Sequence, residues 1–316
     1  MSNNRKIQGI FHFDCDGAVS EIIMKRFIPN IYSYSCGYSK IDAWIKKLKK
    51  NDKVIVADIS LSPDQVESIR EKTDQWFIID HHQDTEEIQN NYPDHVLYAS
   101  DKCGAELCVD FCEERFPETF DELYRKNGKM RVLVMLTGIY DLWKTDHELF
   151  PKAYNLNYLY WDLVHWNFVK RFANGWDGYS ISEVETIKKK QEEKEILWNE
   201  AEFVDIDDKT IVCLGSPEIT NDLTLRLPEK ELFFAIVHQH DELSLRVRYS
   251  GETGNVGEVL DELEHMETGI GAYTHRAGGH PKAGGASFYP EADLDYIFEV
   301  CEYIFEYMKN SSDVPF

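Results

Sequence analysis

Two short stretches bring together side chains that are costly to gather without a chemical reason. "FHFDCDG" (residues 11–17) sets His12, Asp14 and Asp16 at alternate positions, and "IIDHHQD" (78–84) closes an apolar run with Asp80, His81 and His82. A third acid, Asp58, ends the apolar run "KVIVAD". Carboxylates within a few Å repel one another and are pushed towards protonation, and divalent cations relieve that conflict. A set of oxygens with a few imidazoles and no thiolate suits Mn²⁺ or Mg²⁺ better than structural zinc. A shared carboxylate such as Asp58 would bridge two ions roughly 3.5–4 Å apart, the spacing that clamps attacking and leaving oxygens in phosphoester hydrolysis. Taken singly, each acid is as well explained as a helix cap and each histidine as a hydrogen-bonded structural group. Their arrival together at three run ends favours a metal cradle.

The elements that must position them follow from patterning. "KIQGIFHF", "KVIVAD" and "QWFIID" are continuous apolar runs, which marks strands buried on both faces. Between them "AVSEIIMKRF", "KIDAWIKKLKK" (Ile41, Trp44, Ile45 and Leu48 on one face) and "SPDQVESIREK" read as helices, the last with Ser62 as N-cap and Pro63 at its first position. The expectation is an α/β fold: a parallel sheet flanked by helices, whose strand ends line a ligand crevice. "GAELCVDFCEERF" and "KMRVLVMLTGIYDLW" read as further helices. From 142 to 178 the chain is rich in Trp and Tyr without a clean period. The charged segment from Ser182 on, with Ser182 and Glu185 as a capping box, reads as a linker helix. Three strands, a helix, a glycine-rich turn and a closing helix complete a smaller α/β domain. The boundaries expected are 1–178, 179–201 and 202–316.

At 316 residues the chain suits two domains. The net charge of −23 lacks the basic surface that holds long nucleic acids and points to short substrates. Seven cysteines without a Cys-x-x-Cys pair argue against a disulfide framework or zinc ribbon, and Cys103, Cys108 and Cys112 read as packing residues. With no signal-peptide pattern and no apolar run approaching the roughly 20 residues of a membrane span, a cytoplasmic protein without membrane attachment is expected.

The order "HFDCDG", "VADIS", "IDHHQ" and the Asp in "LTGIYDLW" resembles the four motifs of the DHH phosphoesterases, a superfamily of RecJ-type exonucleases, family II pyrophosphatases, oligoribonucleases and cyclic-dinucleotide phosphodiesterases. "RAGGHPKAGGAS" is similar to the Gly-Gly-Gly-His-x-x-Ala-Ala-Gly signature of the DHH-associated C-terminal domain, departing from it at Ala277 and Gly284. The resemblance implies that His12, Asp14 and Asp58 hold one metal, and that Asp16, Asp58, His81 and Asp141 hold the other. Asp146 competes with Asp141 on residue type alone; the motif match selects Asp141. It further implies that Asp80 fixes a histidine ring and His82 faces the scissile phosphate. Gly278, Gly279 and His280 would receive a phosphate or nucleotide terminus. Arg246 or Arg248, which share one side of a strand, would pair a substrate phosphate, although a solvated sheet face explains them nearly as well.

The expected reaction is hydrolysis by a water activated between two cations, Mn²⁺ first and Mg²⁺ as the alternative. The looser likeness of "DKCGAELCVDFCEERF" and "GIYDLW" to the oligoribonuclease (nanoRNase) branch makes short RNA or DNA oligonucleotides the first choice of substrate. Trp143, Trp161, Trp166 and Trp176 are candidates for base stacking, with core packing the more common fate of such residues. The alternatives are a RecJ-like single-strand DNA exonuclease, a 3′-phosphoadenosine 5′-phosphate phosphatase, and a nucleotide-binding scaffold without activity. A homodimer is left open.

Overall fold

Branched and aromatic side chains dominate the strands of the N-terminal half, and they pair as a five-stranded, all-parallel sheet. The computed structural model describes residues 6–311 except 51, 240, 241, 252, 253, 267 and 281, and leaves out the side chains of 238, 239, 242, 276, 280 and 311. The strands are β1 (Ile7–His12), β2 (Ile31–Cys36), β3 (Lys53–Ala57), β4 (Trp76–Asp80) and β5 (Val96–Tyr98), in the order β2-β1-β3-β4-β5. The helices of this half are α1 (Cys15–Phe27), α2 (Ile41–Lys47), α3 (Pro63–Arg70), α4 (Thr85–Asn91), α5 (Gly104–Arg115), α6 (Pro117–Phe120), α7 (Gly128–Asp141) and α8 (Phe150–Arg171).

Alternation along the strands sends Phe11, Ile55 and Ile79 to one face, against α1, α5, α7 and α8. Ile10, Val54, Val56 and Ile78 go to the other, with Ile41, Ile45, Val66 and Ile69 of α2 and α3. Each face is therefore dry, as the continuous apolar runs predict. Ser62 caps α3 in a capping box with Gln65, and Pro63 takes the first position as expected. Cys103, Cys108 and Cys112 are fully buried and unpaired.

β2 and β5 have no counterpart in the sequence reading. β2, "IYSYSC", is an edge strand interrupted by serines, and β5 has only three residues. Neither presents the unbroken apolar run that identifies its neighbours.

The chain divides into two units between Lys188 and Lys189, inside α9 (Ile181–Glu200). The box that opens α9 is Ser180 with Glu183 rather than Ser182 with Glu185: the Glu183 N–H donates to Ser180 Oγ (3.2 Å) and the Ser180 N–H to Glu183 Oε2 (2.7 Å).

The second unit holds β6 (Glu202–Asp205), β7 (Thr210–Leu214), β8 (Leu232–Gln239), β9 (Glu242–Tyr249), β10 (Thr274–His280) and β11 (Ala283–Phe288), in the order β10-β11-β9-β8-β7-β6. Its helices are α10 (Leu223–Arg226), α11 (Val256–His265) and α12 (Leu294–Ser311). The sheet is mixed, with β7 and β8 parallel and the other pairs antiparallel. The glycine-rich stretch is not a turn between strand and helix. Gly278 and Gly279 belong to β10, opposite Gly285 and Gly284 of β11. Close packing explains the composition: a Cβ on Gly279 would lie 2.4 Å from Gly284 Cα, and one on Gly257 of α11 would lie 2.7 Å from Gly279 O. No helix among the described residues is long and apolar enough to cross a membrane.

Candidate metal centre

The carboxyl ends of β1, β3 and β4 and the last residue of α7 converge on one cluster. β1 ends at His12 and the chain turns directly into α1, capped by Asp14, whose Oδ1 accepts from the Gly17 N–H at 2.8 Å. Gly17 is required there, since a Cβ would lie 2.3 Å from His12 O. Asp58 leaves β3 with φ 61°, a left-handed conformation that aspartate tolerates better than most residues. Asp80 ends β4, and α7 closes on Asp141.

Three overlapping groups result, each able to bring ligand atoms within 4.8 Å of one another: His12, Asp14 and Asp58; Asp16, His81 and Asp141; and Asp58, Asp80, His81 and His82. His81 links them, its Nε2 lying 3.3 Å from Asp58 Oδ1 and 3.6 Å from Asp141 Oδ2. His12 Nδ1 is 2.7 Å from Asp14 Oδ2. Asp146, the competing acid, is exposed.

Beyond the cluster, each strand end is braced. Asp80 is fully buried; it accepts from His82 Nδ1 at 2.6 Å and from Thr85 Oγ1 at 2.5 Å. Asp16 accepts the Gly104 and Ala105 N–H groups, at 2.6 and 2.9 Å, at the N-terminus of α5. A helix N-terminus favours negative charge. Gly104, Ala105 and Thr85 are site-building residues that the sequence reading passed over. So is Tyr38, whose ring lies 5.4 Å from that of His12 and 6.2 Å from that of His82. Only the start of a helix at Gly104 carried a signal for any of them.

Electrostatics show an acid cluster short of positive charge. Burial, then Asp16, Asp14 and Asp141, push the Asp58 carboxyl well above the usual range. Asp16 is pushed up to about 7 by burial and by Asp141, and Asp141 to about 7 by burial and by Asp14. Burial also acts to raise Asp14 and Asp80, but His12 and His82 respectively outweigh it and hold them low. For His82 the balance is reversed: burial works against the charge, and Asp80 raises the ring to about 9. Two carboxylate atoms, Asp58 Oδ2 and Asp141 Oδ2, are buried without a hydrogen-bond partner. Such orphans are rare in folded proteins and call for an explanation.

These features fit a pair of hard divalent cations: four aspartates and two imidazoles, two orphaned oxygens, and carboxylates whose acidity is suppressed for want of a counter-charge. Cys15, between Asp14 and Asp16, does not join them, because burial pushes its thiol well above the usual value and keeps it protonated.

In the second unit, Arg246 and Arg248 share one side of β9 as the spacing predicts. Arg248 is committed to the protein: its Nη2 and Nε donate to Asn221 Oδ1 at 2.7 and 3.1 Å. The half-buried Arg246 lies opposite Ala235 and Gly285, and no side-chain partner is found for it among the described residues. Gly278 and Gly279 have φ of 150° and 156°, values that favour glycine. The side chain of His280 lies outside the described residues. Of the four candidate tryptophans, Trp143 and Trp176 pack on the core of the first unit, whereas Trp161 and Trp166 are 55% and 66% exposed.

Comparison with known proteins places these features in context. The family model for the DHH family, N-terminal domain, matches residues 6–139, ending just before Asp141. No curated protein matches the sequence. Among solved structures, a DHH domain from a protein described as a member of a ribosomal protein family superposes with a TM-score of 0.69 at 12% identity, covering 96% of this chain and 87% of that one. RecJ of Thermus thermophilus in complex with Mn²⁺ gives 0.62 at 14% identity, covering 96% of this chain and 52% of that one. An exopolyphosphatase-related protein of Bacteroides fragilis gives 0.59 at 10% identity, with coverages of 98% and 94%. At such identities the likeness is one of fold.

Proposed function

From the premise that residues 6–139 are a DHH-family N-terminal domain, we propose that the protein is a metal-dependent phosphodiesterase that hydrolyses short oligonucleotides. One observation carries the reading: carboxylates and imidazoles from three strand ends and one helix end form overlapping ligand groups around buried, unpartnered oxygens of Asp58 and Asp141. His12, Asp14 and Asp58 would hold one cation; Asp16, Asp58, His81 and Asp141 the second. Mn²⁺ is the first choice, as in the Thermus RecJ complex, with Mg²⁺ the alternative. When bound, such ions bring the pKa of water towards neutrality and neutralise phosphoryl oxygens.

The residues around them do the rest. Asp80 and Thr85 hold His82 in one orientation, as second partners of site imidazoles generally do. A protonated His82 faces the scissile phosphate and offsets charge that develops on it. The Gly104 and Ala105 N–H groups aim Asp16 inward and favour its charged form, against the burial and the Asp141 charge that raise it. In the second unit, Arg246 is suited to a substrate phosphate, and the backbone at Gly278 and Gly279 with His280 to a terminal one. The strongly acidic chain supports short substrates over long strands.

One panel tests the reading. With Mn²⁺ added, RNAs from dimers to long strands, matching DNAs, 3′-phosphoadenosine 5′-phosphate, pyrophosphate and cyclic dinucleotides are compared. The expected result is fastest turnover on the shortest RNAs. Equal rates on dimers and long strands remove the length preference; a single-strand DNA preference or the 3′-phosphoadenosine 5′-phosphate substrate selects those activities instead. No hydrolysis of any, with tight binding of one, makes the protein a nucleotide-binding scaffold.

A further inference from the structure

An aromatic surface adjoins the carboxylate cradle, and the hydrolysis described above does not use it. Phe13 stands between His12 and Asp14 in the chain, so its Cα is about 3.8 Å from theirs. It is nevertheless 38% exposed. One side of its ring is supported by His165, with centroids 5.8 Å apart and planes inclined by 21°. The edges of Tyr160 and Trp161 meet it at 6.3 Å each.

The support is fixed. His165 is buried, its Nε2 lying 2.7 Å from Glu21 Oε2 and its Nδ1 3.1 Å from Ser35 Oγ. Ser35 in turn donates to the main-chain oxygen of His12 at 3.2 Å. Trp161 and His165 are four residues apart and would share a face of a regular helix. Between them α8 breaks at Val164, with φ 60° and ψ 158°. A branched residue in that region costs on the order of 1–3 kcal/mol, and such strain gathers at functional sites. The break turns His165 inward while Trp161 remains 55% and Val164 52% exposed.

We infer that Phe13 and Trp161 form a shelf on which the nucleobase beside the scissile phosphate stacks. The inference rests on the phosphodiesterase reading for its occupant. A phosphate drawn to the cation that His12 and Asp14 would hold puts its own nucleoside within reach of the residue between them. Aromatic faces accept any base, with stacking worth roughly 1–3 kcal/mol. In a chain with 57 acidic against 34 basic side chains, stacking is an affinity source that the overall negative charge does not oppose.

The test compares KM for a dinucleotide with KM for the same dimer carrying one abasic residue. Wild type is expected to bind the base-bearing dimer roughly tenfold better, the lower part of the stacking range. Phe13→Leu and Trp161→Leu should each collapse that ratio towards one, and Phe13→Tyr should restore it. Trp166→Leu, whose ring lies over Lys25, should keep the wild-type ratio. A wild-type-like ratio in both Phe13→Leu and Trp161→Leu overturns the shelf while leaving the phosphodiesterase standing. So does a change of oligomeric state in Trp161→Leu with the ratio unaltered, which makes the surface an interface between copies. If wild type cleaves no dimer, the short-oligonucleotide reading fails. The shelf is then judged by quenching of a 2-aminopurine dinucleotide with Mg²⁺: quenching lost in Trp161→Leu supports it, and quenching retained overturns it.

Discussion

Gly104 lies directly against Asp58: a Cβ on the glycine would sit 2.6 Å from Asp58 Cβ and 2.7 Å from Asp58 Oδ1. The same glycine donates its N–H to Asp16. One residue without a side chain therefore admits the Asp58 carboxylate and orders that of Asp16. Gly104→Ala is expected to displace Asp58 and reduce Mn²⁺-dependent activity by roughly 10- to 100-fold, with a loss of about 1–3 kcal/mol from overpacking. Gly128→Ala, at the start of α7 with nothing within 4 Å of the added methyl, should leave both unchanged or gain about 0.4–1 kcal/mol. Parallel denaturant melts and rates check the contrast, and equal behaviour of the two variants removes the packing argument.

The Asp58 carboxyl is raised by burial and by four neighbouring acids, Asp16, Asp14, Asp141 and Asp80, so the metal-free protein carries repulsion that an amide would relieve. Asp58→Asn should melt no lower than wild type in chelator. It should also lack the Mn²⁺-dependent rise in Tm expected of wild type, which corresponds to about 2.7 kcal/mol per site at a hundredfold excess over Kd. A full Mn²⁺-induced shift in the variant would take Asp58 out of the ligand set.

The three strand ends that carry the cluster were readable because a residue buried on both faces must be apolar, which leaves the abrupt acid or imidazole conspicuous. His12, Asp58 and Asp80 stand out for that reason. Gly104, Ala105 and Thr85 do not, since they act through main-chain N–H groups or one hydroxyl, and nothing in their types distinguishes them from any helix start. β2 was hidden by its serines, yet Ser33 and Ser35 there tie Glu21 and His165 to the His12 backbone. The aromatic stretch resisted periodic reading because α8 breaks at Val164, a tertiary effect without a local sequence cause. The glycines at 278–279 suggest room for an anion in the sequence, and the structure packs them and Gly284 and Gly285 closely. What approaches them is a facing strand and α11, which composition alone cannot distinguish from a ligand.

Arg246 and Arg248 occupy equivalent positions two residues apart, but among the described residues only Arg248 has a side-chain partner, Asn221. Arg248→Ala should remove the two bonds donated to Asn221 Oδ1 and lower stability by about 0.5–1.5 kcal/mol. Arg246→Ala should be nearly neutral to folding and instead raise KM for phosphate-bearing substrates roughly tenfold, the scale of one charge-assisted hydrogen bond. Thermal melts and KM measured side by side separate the two, and the reverse pattern would exchange their roles.

Glu21 is 2% exposed and accepts from Ser33, Lys25 and His165. Burial acts to raise its carboxyl, yet the bonds from His165 and Lys25 prevail and the folded-state value lies below 4.5. A depressed carboxyl contributes stability that is present above the unfolded value and disappears as pH falls through the folded one. Wild type should therefore exceed Glu21→Gln by about 1.5–3 kcal/mol at pH 7, the range for a hydrogen bond to a charged group. The difference should shrink below pH 4.5 as the carboxylate takes up its proton. Denaturant titrations of both proteins at about pH 7 and in steps below 4.5 follow the uptake of that proton. A gap that stays constant across that range would mean the ionised form of Glu21 is not what the network recognises.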